Sequence, residues 1–234
     1  MFPLRVTDVE INIKSKRLIG PINLEIEQNG ISILLGANGS GKTTLLEALH
    51  GLKKLSAGKV EWTISHSLAA KEQAFVFQSP IMLRRTVAEN LAFPLKVRRL
   101  SKSTATAEAM AWAKKIGLEN KIKQQAVLLS GGEMQAIAVA RALITKPKML
   151  FLDEPTASLD GATKKTIEDI LIFASRNGTK IVMSTHDLGQ AKRLAKDIIF
   201  LHRGVVEAHC SKEKFLIEPT SKAAKQFLAG DIVL

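Results

Sequence analysis

The residues with the clearest chemical potential lie in a glycine-rich stretch between an apolar run and a predicted helix. The run 31–35 predicts a buried strand, and the segment 44–50 predicts a helix that ends at Gly51. The stretch between them has the pattern G-x-x-x-x-G-K-T, in which backbone N–H groups can turn toward phosphate oxygens at a helix N-terminus. This predicted phosphate-binding loop comprises Gly36, Ala37, Asn38, Gly39, Ser40, Gly41, Lys42, Thr43 and Thr44.

Two side chains of the loop have predicted roles toward a nucleoside triphosphate. Lys42 can reach the β- and γ-phosphates, and the Thr43 hydroxyl can ligate Mg²⁺. The alternative is a glycine-rich turn that binds nothing. It fits less well, because all four fixed positions of the pattern occur between a strand and a helix. The loop therefore predicts ATP and Mg²⁺ as cofactors.

A pair of carboxylates follows a second apolar run. Asp153 and Glu154 come directly after the segment 149–152, which predicts a buried strand. The carboxyl ends of parallel strands form the mouth of a sheet, where ligands bind. There Asp153 can hold Mg²⁺ and Glu154 can act as a base toward an attacking water. An acidic turn before Pro155 is the alternative when this segment is considered alone.

A third segment combines a helix cap with unusual glycines. Ser130 and Glu133 form an S-x-x-E capping box that predicts a helix start. Capping does not explain Gly131 and Gly132 in the first turn, where a glycine costs up to about 1 kcal/mol relative to alanine. Exposed backbone N–H groups at a helix N-terminus would form an anion site, which explains both glycines better.

Composition restricts the class of protein. The chain has 234 residues, 46% of them hydrophobic and 24% charged, with a formal net charge of +12. No apolar run approaches the roughly 18 residues of a membrane span, and we expect no signal peptide. The single Cys210 fits a reducing cytoplasm. The positive charge is compatible with binding to nucleic acid, with binding to an anionic membrane surface or with no specific partner. The absence of Tyr argues against a surface on which nucleic acid bases stack.

Alternating apolar runs and helical patterns predict an α/β fold with a mostly parallel sheet. We expect a phosphate-loop NTPase core over residues 1–83 and 130–208, including an antiparallel β subdomain. Residues 84–129 predict an inserted helical subdomain, because apolar residues recur there at helical spacing. Residues 209–234 predict a short helical tail. All four ranges belong to one predicted domain.

Several motifs occur together and in order along the chain. They are Gly36–Thr43, Gln78, Leu129–Gln135, Met149–Pro155, Ser158-Leu159-Asp160 and His186. In this combination the chain resembles the ATP-binding subunits of ABC transporters over nearly all of its length. The resemblance implies an ATPase that works as a head-to-tail dimer of two copies with ATP between them. It also implies membrane-spanning permease subunits as partners, and hence a cytoplasmic protein that is peripheral to the cell membrane.

The resemblance also implies individual roles. Ser130, Gly131 and Gly132 of one copy would contact the ATP held by the other, and Glu154 would polarise the water. Gln78 would complete the Mg²⁺ side and report the γ-phosphate to the permease. His186 would touch the γ-phosphate, unless it caps the following helix together with Ser184 and Asp187. Asp160 would link the two sites, and it can also be the N-cap of the helix from Gly161.

The transported solute is the least determined feature. The short tail and the segment 78–87 are similar to importer subunits for tungstate or molybdate, which also use a solute-binding protein. An exporter subunit shares every motif, and the charge leaves open a non-transport ABC ATPase acting on nucleic acid or ribosomes, although we expect no nucleic acid partner. A binding subunit without catalysis is disfavoured by the intact motifs. Family members usually stack an aromatic on adenine, yet residues 11–17 contain none. We therefore expect poor discrimination between ATP and GTP.

Overall fold

The computed structural model describes residues 1–231. Its strands are β1 Leu4–Ile13, β2 Lys16–Ile26, β3 Ile31–Leu35, β4 Ala57–Glu61, β5 Gln73–Val76, β6 Met149–Asp153, β7 Lys180–Thr185, β8 Asp197–His202 and β9 Val205–Ser211. Its α-helices are α1 Lys42–His50, α2 His66–Glu72, α3 Val87–Val97, α4 Lys102–Lys115, α5 Gly131–Leu143, α6 Gly161–Arg176, α7 Leu188–Leu194, α8 Lys212–Ile217 and α9 Lys222–Ala229. Short 3₁₀ turns cover Glu119–Lys121 and Ala126–Leu128. Within residues 1–231, no helix is both long enough and apolar enough to cross a membrane.

The central sheet has six strands in the order β5-β6-β7-β3-β8-β9. The pairs from β5 to β8 are parallel, and β9 runs antiparallel to β8 at the edge. Every residue of β3, β6 and β7 is buried, because helices or other strands cover both faces of the sheet. This explains why these strands are continuous apolar runs in the sequence.

Alternate residues of the central strands belong to two separate apolar clusters. In β6, Leu150 and Leu152 contribute to the larger cluster with helices α3 to α7, whereas Met149 and Phe151 contribute to the other. The second cluster contains α1 and the antiparallel sheet β2-β1-β4. The two-residue period of a strand therefore builds a core on each face. The predicted α/β architecture with an antiparallel β subdomain is confirmed.

The predicted helical insert over 84–129 contains α3, α4 and the two 3₁₀ turns. Thr86 begins α3 with a complete capping box to Glu89, and Ser101 caps α4. The segment 130–133 begins α5, which packs against α3 as well as against β5. The insert is therefore attached to the nucleotide-binding core through α5.

The predicted tail over 209–234 differs from the structure at its start. Residues 205–211 form β9, so the first three tail residues belong to the sheet and helix begins only at Lys212. The exposed and half-buried residues of β9 alternate, and its turn from β8 contains Arg203 and Gly204, both with positive φ. Alternation and a glycine turn are signals of a hairpin. The last three residues of the predicted tail, 232–234, lie outside the described part of the chain.

Candidate functional site

Four parallel strands bring the predicted catalytic residues to one edge of the sheet. β3 leads into the glycine-rich loop, β5 leads to Gln78, β6 ends at Asp153, and β7 leads to His186. These strands are neighbours in the order β5-β6-β7-β3. Because they are parallel, their carboxyl ends lie along the same edge, where a ligand can contact all of them.

A cleft of about 510 Å³ opens at this edge. That volume is within the range of small-molecule sites. The cleft is lined by the glycine-rich loop, by Gln78, by the segment after β6 and by His186. The lining residues are Leu18, Asn38, Gly39, Gly41, Lys42, Thr43, Thr44, Gln78, Glu154, Ala157, Ser158 and His186. Ser130, Gly131, Gly132 and Asp160 do not line it.

At two positions of the glycine-rich loop, any side chain would collide with a neighbouring residue. A Cβ on Gly36 would lie 2.2 Å from the Leu201 carbonyl oxygen, because the loop passes directly over β8. Gly41 has a φ of 103°, and a Cβ there would lie 2.6 Å from Ile19 Cγ2. The loop conformation therefore depends on the absence of side chains, which also leaves its backbone accessible from the cleft.

Lys42 is held at the bottom of the cleft. Its Nζ donates to the carbonyl oxygens of Gly36 (3.0 Å) and Ala37 (3.1 Å) and lies 3.3 Å from Glu154 Oε1. The other Glu154 oxygen, Oε2, is 3.0 Å from His186 Nδ1. The three side chains thus form a row across the cleft, with the carboxylate between a cation and an imidazole.

The Mg²⁺ ligands predicted from the sequence are adjacent. Thr43 Oγ1 donates to Asp153 Oδ2 at 2.8 Å. Mg²⁺ binds oxygens at 2.0–2.1 Å in an octahedron, so two neighbouring ligands are about 2.9 Å apart. The observed spacing fits this requirement. Ser184 Oγ donates to Asp153 Oδ1 at 2.6 Å and accepts from the Glu154 N–H at 2.9 Å, which fixes the orientation of the first carboxylate.

The backbone is strained at Glu154, the predicted general base, and in the turn that follows it. Glu154 has a φ of 41° and Ser158 a φ of 61°, both in the left-handed region. Such residues cost about 1–3 kcal/mol and persist where the surrounding contacts fix them. The Ser184 hydroxyl and the Ala157 N–H, which donates to the Glu154 carbonyl at 3.1 Å, supply two of these contacts.

Ser130 and Gly131 are exposed at the N-terminus of α5, and Gly132 is half-buried. Ser130 forms the predicted capping box: its Oγ accepts from the Glu133 N–H, and Glu133 Oε2 accepts from the Ser130 N–H. A hydrogen bond from Lys121 is the main reason that the pKa of Glu133 lies below its ordinary value. A Cβ built on Gly131 would meet nothing within 4 Å, whereas one on Gly132 would lie 3.1 Å from Thr163 Cγ2. The surface at Gly131 is therefore open to an external ligand.

Asp160 and His186 behave differently with respect to capping. Asp160 is the N-cap of α6, as predicted, and accepts from the N–H groups of Ala162 (3.0 Å) and Thr163 (2.9 Å). The hydrogen bonds from Thr163 lower the pKa of Asp160. In contrast, α7 is capped by Asp187, and His186 faces Glu154. The capping alternative for His186 is therefore wrong.

The family of the chain follows from its similarity to known proteins. The family model described as "ABC transporter" matches residues 19–157, which is more than half of the chain. The chain belongs to the ABC transporter ATP-binding family. A tungstate uptake system ATP-binding protein of Peptoclostridium acidaminophilum is 39% identical over 186 residues, covering 79% of this chain and 87% of the relative. A phosphate import ATP-binding protein of Campylobacter jejuni is 33% identical and covers 97% and 98%.

Solved structures agree with the fold of this ABC ATPase. One described as the ATP-binding subunit of an ABC transporter has a TM-score of 0.82 at 20% identity and covers 92% of both chains. A dimeric ATP-binding cassette in a post-hydrolysis state, bound to ADP and phosphate, has a TM-score of 0.79 at 27% identity and covers 89% of this chain and 98% of the other. The protein is accordingly an ATPase that binds ATP with Mg²⁺, and its hydrolysis of ATP powers transport.

Some cleft residues of the ABC ATPase were not predicted from the sequence. Leu18 and Ala157 line the cleft, and Ser184 connects the two carboxylates. Ser184 could have been suspected because it is a polar residue in a fully buried strand. No comparable signal marks Leu18, since its position depends on how the antiparallel subdomain packs beside the loop.

Proposed function

We propose that this ABC ATPase works as a dimer that drives import of a small oxyanion, such as tungstate or molybdate, through separate permease subunits. The dimer is the basis of the proposal, and one observation supports it above all. The cleft contains the glycine-rich loop, Glu154 and His186, whereas Ser130, Gly131 and Gly132 do not line it, and the first two are exposed elsewhere on the surface. A second copy is needed to bring such a surface against the ATP held in the cleft.

In the proposed hydrolysis, the loop 36–44 holds the phosphates and Lys42 neutralises charge on the β- and γ-phosphates. Thr43 and Asp153 would hold Mg²⁺, completed by Gln78, and this ion would stabilise the charge on the phosphate oxygens. Glu154 would accept a proton from water as the water oxygen bonds to the γ-phosphorus and the bond to the β–γ bridging oxygen breaks. His186, in contact with Glu154 Oε2, would orient that carboxylate and touch the γ-phosphate.

In the dimer, the N-terminus of α5 would contact the ATP of the partner copy. Ser130 would offer its hydroxyl, and Gly131 and Gly132 would offer backbone N–H groups together with the positive end of the helix. Asp160, which caps α6 beside Thr163 and therefore close to Gly132, would connect the two sites. This arrangement makes ATP part of the interface, so that hydrolysis would weaken the dimer.

A groove beside the cleft supports a permease partner. It has a volume of about 520 Å³ and is lined by Phe77, Ile81, Phe93 and Val97, whose exposure ranges from 37% to 73%. Arg98 and Arg141 also line it, and among residues 1–231 neither is paired with a carboxylate. An apolar groove of this kind suits an amphipathic helix of another subunit. Because Phe77 precedes Gln78, a helix bound there would lie next to the nucleotide cleft.

The identity of 39% with a tungstate uptake ATPase favours the oxyanion, a solute-binding protein and a position at the cytoplasmic face of the membrane. The ATPase itself would not contact the solute. An exporter with the same ATPase is the second candidate, since the motifs and the groove would serve it equally well. No sequence motif, and no fold feature within residues 1–231, favours a role on nucleic acid or ribosomes.

Two matched variants and one uptake assay test the proposal. Ile81 in the groove is 73% exposed, and Ile217 in α8 is 77% exposed. With the permease co-expressed, Ile81→Asp should abolish co-purification and transport but keep nucleotide-dependent ATPase activity of the isolated chain, whereas Ile217→Asp should keep both. Cells lacking the chain should accumulate less tungstate or molybdate, measured by mass spectrometry. Greater accumulation would favour the exporter, and unchanged accumulation would exclude these oxyanions.

A further inference from the structure

A cluster of buried polar side chains joins the β6–α6 connection to α6 and α7. Thr156, Glu168 and Gln190 are 7%, 7% and 1% exposed, and they come from the β6–α6 connection, α6 and α7. Gln190 Nε2 donates to Thr156 Oγ1 at 2.7 Å and to Glu168 Oε1 at 3.0 Å. These hydrogen bonds hold the Gln190 side chain in a defined position, because leaving a buried donor or acceptor unpaired costs free energy.

Arg193 completes the cluster at its outer end. Its Nε donates to Glu168 Oε2 at 2.9 Å and its Nη2 to Glu168 Oε1 at 2.7 Å, a two-point contact. Burial opposes ionisation of Glu168, but the hydrogen bonds from Arg193 and Gln190 outweigh it and the pKa lies below its ordinary value. The carboxylate is therefore ionised at neutral pH and orients the Gln190 amide so that the amide N–H points at Thr156.

The same cluster is linked to the turn that carries His186. Asp187 Oδ1 accepts from the Gln190 N–H at 2.9 Å, and Asp187 Oδ2 accepts from Lys164 of α6. The Asp187 N–H donates to Thr185 Oγ1 at 3.0 Å. Gln190 therefore contacts both connections that carry the predicted chemistry: its side chain binds the one after Glu154, and its backbone binds the one after His186.

The connection after Glu154 needs such a contact. Glu154 and Ser158 both have positive φ, and Thr156 lies between them. The Ser184 hydroxyl holds the first residue of this strained turn, and the Gln190 amide holds its centre. Loss of the Gln190 contact would allow the turn to relax, which would shift the Glu154 carboxylate relative to His186 and Lys42.

We infer that Gln190, acting through Thr156, is a positioning residue that fixes Glu154 against His186 for hydrolysis. The inference rests on the proposed role of Glu154. Misplacement of a reacting group by about 1 Å can lower a rate by about 10². Loss of the Gln190–Thr156 contact should therefore reduce kcat much more than it changes ATP binding, which depends on the glycine-rich loop.

The test compares two substitutions at position 156 with one at each of two positions in α7. Thr156→Val keeps the shape but removes the oxygen that accepts from Gln190, and Thr156→Ser keeps that oxygen. We expect kcat to fall by about 10- to 100-fold in Thr156→Val, with the dissociation constant for ATP changed by less than about threefold. Thr156→Ser should retain most of the activity. Gln190→Met should reproduce Thr156→Val, and Lys192→Met, at an exposed position of the same helix, should not.

A second measurement separates positioning from stability. In a Glu154→Gln background, residual single-turnover hydrolysis should not fall further when Thr156→Val or Gln190→Met is added, because both act through the same carboxylate. An undiminished kcat in either single variant, or a full additional loss in the Glu154→Gln background, would overturn the inference. If Glu154→Gln alone hydrolyses ATP at the normal rate, the proposed function fails instead, whatever the Thr156 variants do. Should Thr156→Val not fold, Gln190→Met against Lys192→Met decides the question.

Discussion

The substitution Glu154→Gln removes one charge from the centre of the cleft while keeping the size of the side chain. In the structure the Glu154 carboxylate lies 3.3 Å from Lys42 Nζ and 3.0 Å from His186 Nδ1, and its side chain is 12% exposed. An amide in this place cannot accept a proton from water. Loss of a general base lowers a rate by about 10²–10⁴, which corresponds to about 2.7–5.4 kcal/mol in the activation free energy.

ATP binding should not suffer from the same substitution. Lys42 keeps its two carbonyl acceptors, and a neutral amide no longer repels the γ-phosphate. The assay is phosphate release at saturating ATP together with equilibrium binding of ATP. Glu218→Gln, an exposed carboxylate in the segment after α8, is the matched control and should behave like the native chain. A hydrolysis rate within about twofold of the native rate would remove Glu154 as the base.

Three further predictions concern other parts of the chain. The β1–β2 turn offers no aromatic to adenine, and Leu18 lines the cleft instead. Since aromatic stacking on a base is worth about 1–3 kcal/mol, we expect the affinities for ATP and GTP to lie within about a hundredfold of each other, as measured by competition titration. Burial lowers the pKa of His50, so the unfolded chain binds more protons and stability falls as the pH drops through about 6.5. The melting temperature should therefore fall more between about pH 7.5 and about pH 5.5 in the native chain than in His50→Leu. An equal fall in melting temperature in the two proteins would contradict this. Ser130→Ala should lower the free energy of unfolding by about 1 kcal/mol, because the N-cap of α5 is lost. It should reduce hydrolysis by the dimer more than ATP binding by one chain. Abolished ATP binding would contradict the proposed contact with the second copy.

Local patterns in the sequence were sufficient to predict much of the fold. Strands β3, β6 and β7 are continuous apolar runs because both faces of the sheet are covered, and the helix periodicity of α6 follows from its one buried face. The caps at Ser130 and Asp160 were predicted because a capping side chain acts on N–H groups two or three residues away. In each case the physical cause lies within one element or its two neighbours.

Features that depend on distant contacts could not be predicted in this way. Lys42 and Glu154 are far apart in sequence, and their 3.3 Å pairing depends on the order of the strands. The contact between Gln190 and Thr156 likewise requires α7 to pack beside the turn after β6. The predicted start of the helical tail is wrong because the alternating residues of β9 are only partly buried, so their hydrophobic pattern is weaker than that of the central strands.

We propose that the cleft is half of a site and that a second copy supplies the other half. Gly131 allows a direct test, because a Cβ there would meet nothing within 4 Å and the residue is exposed. Gly131→Leu should therefore fold and bind ATP in its own cleft normally. If the second copy's ATP approaches this surface, the added side chain must prevent that approach.

The measurement is sedimentation velocity with Mg²⁺ and ATP in the Glu154→Gln background, in which hydrolysis cannot separate the dimer. We expect Glu154→Gln to sediment as a dimer with ATP and as a monomer with ADP. Glu154→Gln with Gly131→Leu should remain a monomer with ATP, although its affinity for ATP is unchanged. An ATP-induced dimer that forms equally well with Gly131→Leu would show that the second copy does not complete the site through this surface.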